Sequence, residues 1–212
     1  MLGFERVQVV ARGVDTRLFN PQHRSDALRT TWGAGPHTTV LLAVGRLAAE
    51  KNLDMVLRAF EAMRAVRDDV KLVIVGDGPL RESLQQRCPQ AVFAGMQTQQ
   101  ALATYYASAD LFLFPSTTET FGNVTIEALA SGLAVLAFNT AAAADWVQHE
   151  GNGWLVPMND ELAYLQMATE LACDPQRIAR AGERARAQVA RLDWQQIASE
   201  VEAHFLQTMG TH

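Results

Sequence analysis

Cysteine is nearly absent from this 212-residue chain: Cys88 and Cys173 are the only two. Two isolated cysteines are too few for a disulfide framework or a structural zinc site. A reducing setting is the default, and we expect a cytoplasmic location. Long apolar runs are missing as well. No segment approaches the ~18 apolar residues of a membrane span, and the opening MLGFERVQVVARG lacks the apolar stretch of a signal peptide. Lysine is scarce too, since of 18 basic residues only Lys51 and Lys71 are lysines. Between Arg87 and Arg177 there is no Lys or Arg at all, while nine acidic residues fall there. Nucleic acid and anionic membrane reward clustered cations, so a net charge of −5 argues against both as the main partner. An anion bound within residues 88–176 must rely on backbone N–H groups, or on cations brought from the first third of the chain.

What is present is ordinary globular composition, 49% hydrophobic with 14 Gly and 7 Pro, which excludes a disordered or fibrous chain. Short apolar runs alternate with helical patterns. Strands are predicted at 7–10, 39–45, 71–76, 91–95, 110–116, 133–138 and 153–157. The 39–45 run, TVLLAVG, is almost continuously apolar, as a parallel strand covered on both faces requires. Leu53, Val56, Leu57, Phe60 and Met63 recur at helical spacing. Helices are also predicted at 79–87, 99–108 and 122–131. A polar connection through Asn20 and Pro21 runs to about Pro36. From Asp160 the pattern is helical almost to the end, with a break at Asp174-Pro175 and a restart near Asp193-Trp194. Alternating strands and helices imply right-handed βαβ units. The expected fold is α/β, a single doubly wound Rossmann-like domain over residues 1–212, with a parallel sheet and C-terminal helices.

Ligands of such sheets bind outside the carboxyl ends of the strands, so the segments that follow each strand carry the function. After the 39–45 strand comes GRLAAEKN, where Gly45 permits close backbone approach. Arg46 offers a bidentate fork to phosphate there, and Lys51 a point charge. GDGPL (76–80) places Gly76 and Gly78 in a tight turn before Pro79, and is neither a G-x-G-x-x-G fingerprint nor a P-loop. FAGM (93–96) ends a third strand at Gly95 and Met96; on sequence alone it reads first as a plain turn, the alternative being that its free backbone groups meet a planar base. PSTTETFGNVTIEALASG (115–132) is the most informative segment. Glu119 lies in a polar loop, Phe121-Gly122-Asn123 leads into a helix, and Glu127 sits in its second turn. Successive amides near Gly122–Thr125 are the unpaired donors expected of a helix N-terminus, an anion site needing no Lys or Arg. Two carboxylates beside a diphosphate suit sugar hydroxyls better than the diphosphate itself.

At these residues the chain resembles the C-terminal, donor-binding half of a GT-B-fold, family-four (group 1) retaining glycosyltransferase. The resemblance runs through RGVDTRLFNP (12–21), VGRLAAEKN, VIVGDGP, FAGM, the E-x₇-E segment from Glu119 to Glu127, EALASGLAV and GNGWLVP (151–157). RGVDT-x-LF resembles the branch that includes bacterial mannosyltransferases and sulfolipid-synthase-like enzymes. The resemblance implies a nucleoside-diphosphate sugar as donor, with mannose as one candidate hexose. It implies that Arg46 and Lys51 pair with the diphosphate and that Glu119 accepts bonds from hexose hydroxyls. By the same resemblance the amides of Gly122, Asn123 and Val124 hold a phosphate, Glu127 takes the ribose hydroxyls, and the backbone near Met96 meets the base. No metal cofactor is implied, and the chain has no D-x-D pair.

Two departures stand out. NTAAAADW (139–146) replaces a Gly-Gly pair and a Glu found in many members. The family's enzymes are also about twice as long, with an N-terminal domain that carries the acceptor site. We therefore expect this chain alone to be inactive, with that domain as its partner and any membrane contact made through it. In the final helix, Trp194, Ile197, Val201 and Phe205 are expected to pack into the core. The competing reading is a non-catalytic nucleotide-sugar-binding or interaction module on the same fold. A GT-B epimerase or phosphorylase half fits the motif order less well.

Overall fold

Along each apolar run successive side chains point to opposite faces, and in this chain both faces are covered. The computed structural model describes residues 13–118, 122–189 and 192–209; the strand predicted at 7–10 lies outside them. Six strands form one sheet: β1 (Thr39–Val44), β2 (Val70–Val75), β3 (Val92–Gly95), β4 (Leu111–Phe114), β5 (Ala134–Phe138) and β6 (Gly153–Val156). Their order is β3-β2-β1-β4-β5-β6 and every pairing is parallel. The doubly wound α/β expectation holds.

The helices are α1 (Asp26–Thr31), α2 (Leu53–Val66), α3 (Arg81–Arg87), α4 (Gln99–Ser108), α5 (Asn123–Ala130), α6 (Ala141–Ala144), α7 (Glu161–Cys173), α8 (Pro175–Val189) and α9 (Trp194–Met209). Leu41, Leu72, Ile74, Leu113 and Phe138 meet Val56, Phe60 and Met63 of α2 and Tyr164 and Leu171 of α7 in one core. The alternate residues Val40, Leu42, Val73, Phe112 and Val135 meet Tyr106 of α4 and Ile126 and Leu129 of α5 in the other. Each such side chain, fully buried, contributes about 1.5–3 kcal/mol. Helix α8 serves both, with Ile178 and Ala181 in the first core and Ala185 and Val189 in the second.

Three local differences from the sequence reading have physical causes. The polar connection holds a six-residue helix, α1, capped by the Ser25 hydroxyl. Its Arg29, only 3% exposed, pairs with Asp110 at 3.0 Å and donates to the carbonyls of Ser108 and Thr38 at 2.8 and 2.7 Å. Asp110 also accepts the Val40 amide at 2.8 Å, so this charge cluster clamps the amino ends of β1 and β4. Helix α3 begins at Arg81 rather than Pro79, because the Leu80 amide is drawn to the Leu47 carbonyl at 3.0 Å. The final helix buries Ile197 but leaves Trp194 and Phe205 51% and 67% exposed, so the expected core packing is only partly realised.

At the opposite, carboxyl edge the backbones of β1 and β2 nearly touch as they leave the sheet. Gly76 has φ +132°, and a Cβ there would lie 1.9 Å from the Gly45 carbonyl oxygen. No side chain fits. Gly76→Ala should therefore lower the urea midpoint with little change in slope, a loss of about 2–4 kcal/mol from overpacking and backbone strain.

Candidate functional site

Strand order reverses between β1 and β4, so the connections leaving these neighbours run to opposite sides and open a crevice at their carboxyl ends. Two hydrogen bonds bridge the crevice. Asn52 Nδ2 donates to the Pro115 carbonyl, and Ser116 Oγ to the Glu50 carbonyl, each at 3.3 Å. Asn52 adopts a left-handed conformation, φ 49° and ψ 45°, as it turns the chain into α2. The loop carrying Arg46 and Lys51 is thereby fixed beside the loop that leads to α5. Arg46 is exposed. The Lys51 stem crosses Gly45, with Cε 3.5 Å from where a Gly45 Cβ would stand.

Helix α5 starts at Gly122, in a left-handed conformation with φ 60° and no side-chain cap. The amides of Thr125 and Ile126 turn back to the Gly122 carbonyl at 2.9 and 3.2 Å. Among the described residues, the amides of Gly122, Asn123 and Val124 have no backbone acceptor. They are the orphan donors expected at a helix start, aligned with the positive end of its dipole.

One turn further on, Glu127 is half-buried beside a small cavity of about 140 Å³ that Gly13, Asp15, Gln99, Asn123 and Trp194 help to line. Burial pushes its carboxyl up to about 7, against a hydrogen bond from the Tyr106 hydroxyl at 3.2 Å that favours the charged form. The Tyr106 phenol is itself held well above its usual range by burial and by the Glu127 charge, so it remains a donor. A carboxylate so placed, with one donor and room for others, is suited to paired hydroxyls.

Gly76 and Met96 also reach this edge. The Gly76 amide donates to the Gly95 carbonyl at 2.9 Å, and Met96, next in the chain, is 79% exposed. The structure thus brings Gly45, Arg46, Lys51, Gly76, Met96, Gly122, Asn123, Val124 and Glu127 to one edge of the sheet. Glu119 and Phe121 lie outside the described residues, so their places are not part of this geometry. Sequence reasoning overlooked Arg81, whose guanidinium lies against Gly95. Its position five residues after Gly76, in a turn already singled out, was the available signal. The NTAAAADW segment forms the short helix α6, with Ala143 buried and Asp145 exposed.

A larger groove, about 870 Å³, lies at the amino edge and includes Arg24, Arg67, Asp110 and Arg186. Its arginines are already engaged. Arg24 donates to the Ala107 and Ala109 carbonyls, and Arg186 to those of Thr16, Phe19 and Ala130. Through Ala107, Ala109 and Ala130 they meet the C-terminal carbonyls of α4 and α5. Size alone does not place the site there. Among the described residues no helix is long and apolar enough to cross a membrane.

The family model described as "Glycosyl transferases group 1" matches residues 38–174. The GDP-mannose-dependent alpha-mannosyltransferase of Corynebacterium glutamicum is 35% identical over 195 residues, which cover 92% of this chain and 46% of that protein. Sulfoquinovosyl transferase SQD2 of Arabidopsis thaliana is 30% identical, over 90% of this chain and 38% of its own length. Among solved structures, sucrose-phosphate synthase from Thermosynechococcus elongatus superposes with a TM-score of 0.80 at 26% identity, over 97% of this chain and 53% of that one. The chain spans about half the length of the curated relatives it matches.

The Glu127 carboxyl supplies a test of the buried geometry. A native value of about 7 against an ordinary 4.5 means that burial of the neutral acid favours folding below about pH 4.5 and that this advantage is lost as pH rises through 7. Relative to Glu127→Gln, the wild type should lose stability between about pH 5 and 8. Urea titrations across that range read the difference in slope.

Proposed function

The chain belongs to the group 1 glycosyl transferases, and from that premise we propose that it is the donor-binding half of a retaining enzyme. That enzyme moves a hexose from a nucleoside-diphosphate sugar to an acceptor held by a partner N-terminal domain. The observation that carries the reading is the meeting, across the β1–β4 crevice, of a helix start whose first amides have no backbone acceptor among the described residues and a loop bearing two cations. A diphosphate is the anion this arrangement suits. The amides of Gly122, Asn123 and Val124 hold one phosphate, and Arg46 and Lys51 neutralise the charge that develops as the nucleotide departs. Preorganised donors of this kind stabilise the transition state without waiting for water to reorganise.

Glu127 accepts the ribose hydroxyls, and the backbone at Met96 meets the base. Glu119 is assigned to the hexose hydroxyls on the family resemblance and is not given the role of nucleophile. Because the relatives include GDP-mannose-dependent enzymes, GDP-mannose is the first donor to test. Cations and amides neutralise the diphosphate in this reading, so no metal ion is called for. The exposed Phe205 and Leu206 on α9 are apolar surface for the partner domain to cover. The alternative, a non-catalytic module, is favoured by the all-alanine α6 and the exposed Asp145. It predicts no transfer even when the chain is joined to an acceptor domain.

Titration calorimetry of the chain with GDP-mannose, UDP-glucose and ADP-glucose tests the proposal. Binding of at least one is expected, unchanged by EDTA. Lys51→Ala and Glu127→Ala should each weaken it by about 10- to 100-fold, the worth of a hydrogen bond to a charged group. Absence of binding to all three would sink the reading.

A further inference from the structure

The donor reading leaves open how the base is told apart from others, and one side chain outside its motifs stands at that point. The Glu127 cavity is shared with Gln99, the first residue of α4. A ribose held on Glu127 thus lies beside the start of α4, and with Met96 meeting the base, as proposed above, the base sits on the turn from Gly95 that leads into this helix. In this segment Gln97 folds back, its side-chain amide donating to the Ala94 carbonyl at 2.7 Å, while Met96 stays open to solvent. The floor is Gly95, in a left-handed conformation with φ +70°.

Against that floor lies the Arg81 guanidinium. A Cβ on Gly95 would stand 3.3 Å from its Nη1 and 3.7 Å from its Nη2, so the absence of a side chain makes room for the cation. Arg81 is anchored by one arm. Its Nη1 donates to Asp77 at 2.8 Å, and the same carboxylate accepts the Gly78 amide at 2.7 Å. Those two donors also hold the Asp77 carboxyl below its usual range, so the anchor stays charged. Among the described residues, Nη2 and Nε have no acceptor, and the side chain is 31% exposed. An arginine fixed at one nitrogen beside Gly95, with Nη2 and Nε still available as donors, offers a planar fork to a group seated on that turn.

We propose that Arg81 is a specificity-determining residue that donates to the C6 oxygen of a donor purine or the C4 oxygen of a donor pyrimidine, so that the site selects guanine or uracil over adenine and cytosine, which carry an amino group there. The inference rests on the donor-site reading above. A keto oxygen facing Arg81 accepts a charge-assisted hydrogen bond. An exocyclic amino group at the same place turns its own hydrogens toward the cation and leaves the guanidinium unpaired, and sites built on such pairing reject the mismatched partner strongly.

Five nucleoside diphosphates test this by calorimetry on the 212-residue chain. GDP and IDP carry a keto oxygen where ADP carries an amino group, and UDP stands in the same relation to CDP. The wild type should prefer GDP and IDP over ADP, and UDP over CDP, by about tenfold or more. Arg81→Met should reduce both preferences to about threefold or less, chiefly by weakening the keto nucleotides. Arg81→Lys, which keeps the charge but not the fork, should fall between. Circular dichroism and a urea midpoint confirm that each variant is folded, as an exposed ion pair leads one to expect. Equal wild-type affinity for GDP and ADP, or preferences unchanged in Arg81→Met, would overturn the assignment of Arg81 and leave the donor site standing. Failure of all five to bind would remove both.

Discussion

The reversal of strand order between β1 and β4 is the constraint on which the carboxyl edge depends. Connections from β1 and β2 lead one way around the sheet and those from β3, β4 and β5 the other. The loops after β1 and β4 part, and a gap must remain between them. Hydrogen bonds from Asn52 to Pro115 and from Ser116 to Glu50 hold that gap at a fixed width. The left-handed turn at Asn52 and the uncapped start of α5 follow from the same geometry, since one chain must swing away from the gap while the other enters a helix facing it.

The uneven distribution of charge has a structural reason at each edge. At the amino edge, arginines are bound to the carbonyl ends of helices, and Arg29 and Arg24 share Asp110. At the carboxyl edge, α5 is packed on nearly all sides: Thr125, Ile126, Ala128, Leu129 and Ala130 are buried. A lysine or arginine there would have to enter the core without a partner, at a cost of several kcal/mol. The helix start instead offers amides, which need no side chain, and cations are supplied by the neighbouring loop. The long stretch without Lys or Arg is thus compatible with anion binding.

Legibility in the sequence followed the physics of each element. All six described strands were foreseen to within a residue or two, because a parallel strand covered on both faces must be apolar along its length. The edge proposed for the site rests on topology, which assigns ligands of such sheets to the carboxyl ends of the strands. Helix α1 was not, since Arg29 and Asp110 hold it across 81 residues of chain and local pattern carries no trace of such a pairing. The raised Glu127 carboxyl was equally hidden: a carboxylate in the second turn of a helix reads as solvated until the fold is seen to bury it. Arg81 was passed over because its meaning depends on Gly95, which reaches it only when β3 is laid beside β2.

The near-contact of Gly45 and Gly76 has a bearing on how such domains can be altered. The turns after β1 and β2 interlock further through Leu47, whose amide donates to the Asp77 carbonyl and whose own carbonyl accepts from Leu80. They meet without intervening side chains, so there is no adaptable layer to absorb a mismatch. Grafting one turn from another protein in exchange for new donor preference would leave its neighbour ill-fitted. The pair forms a single transplantable unit, and recombination between such chains should keep crossovers out of the span from Gly45 to Leu80.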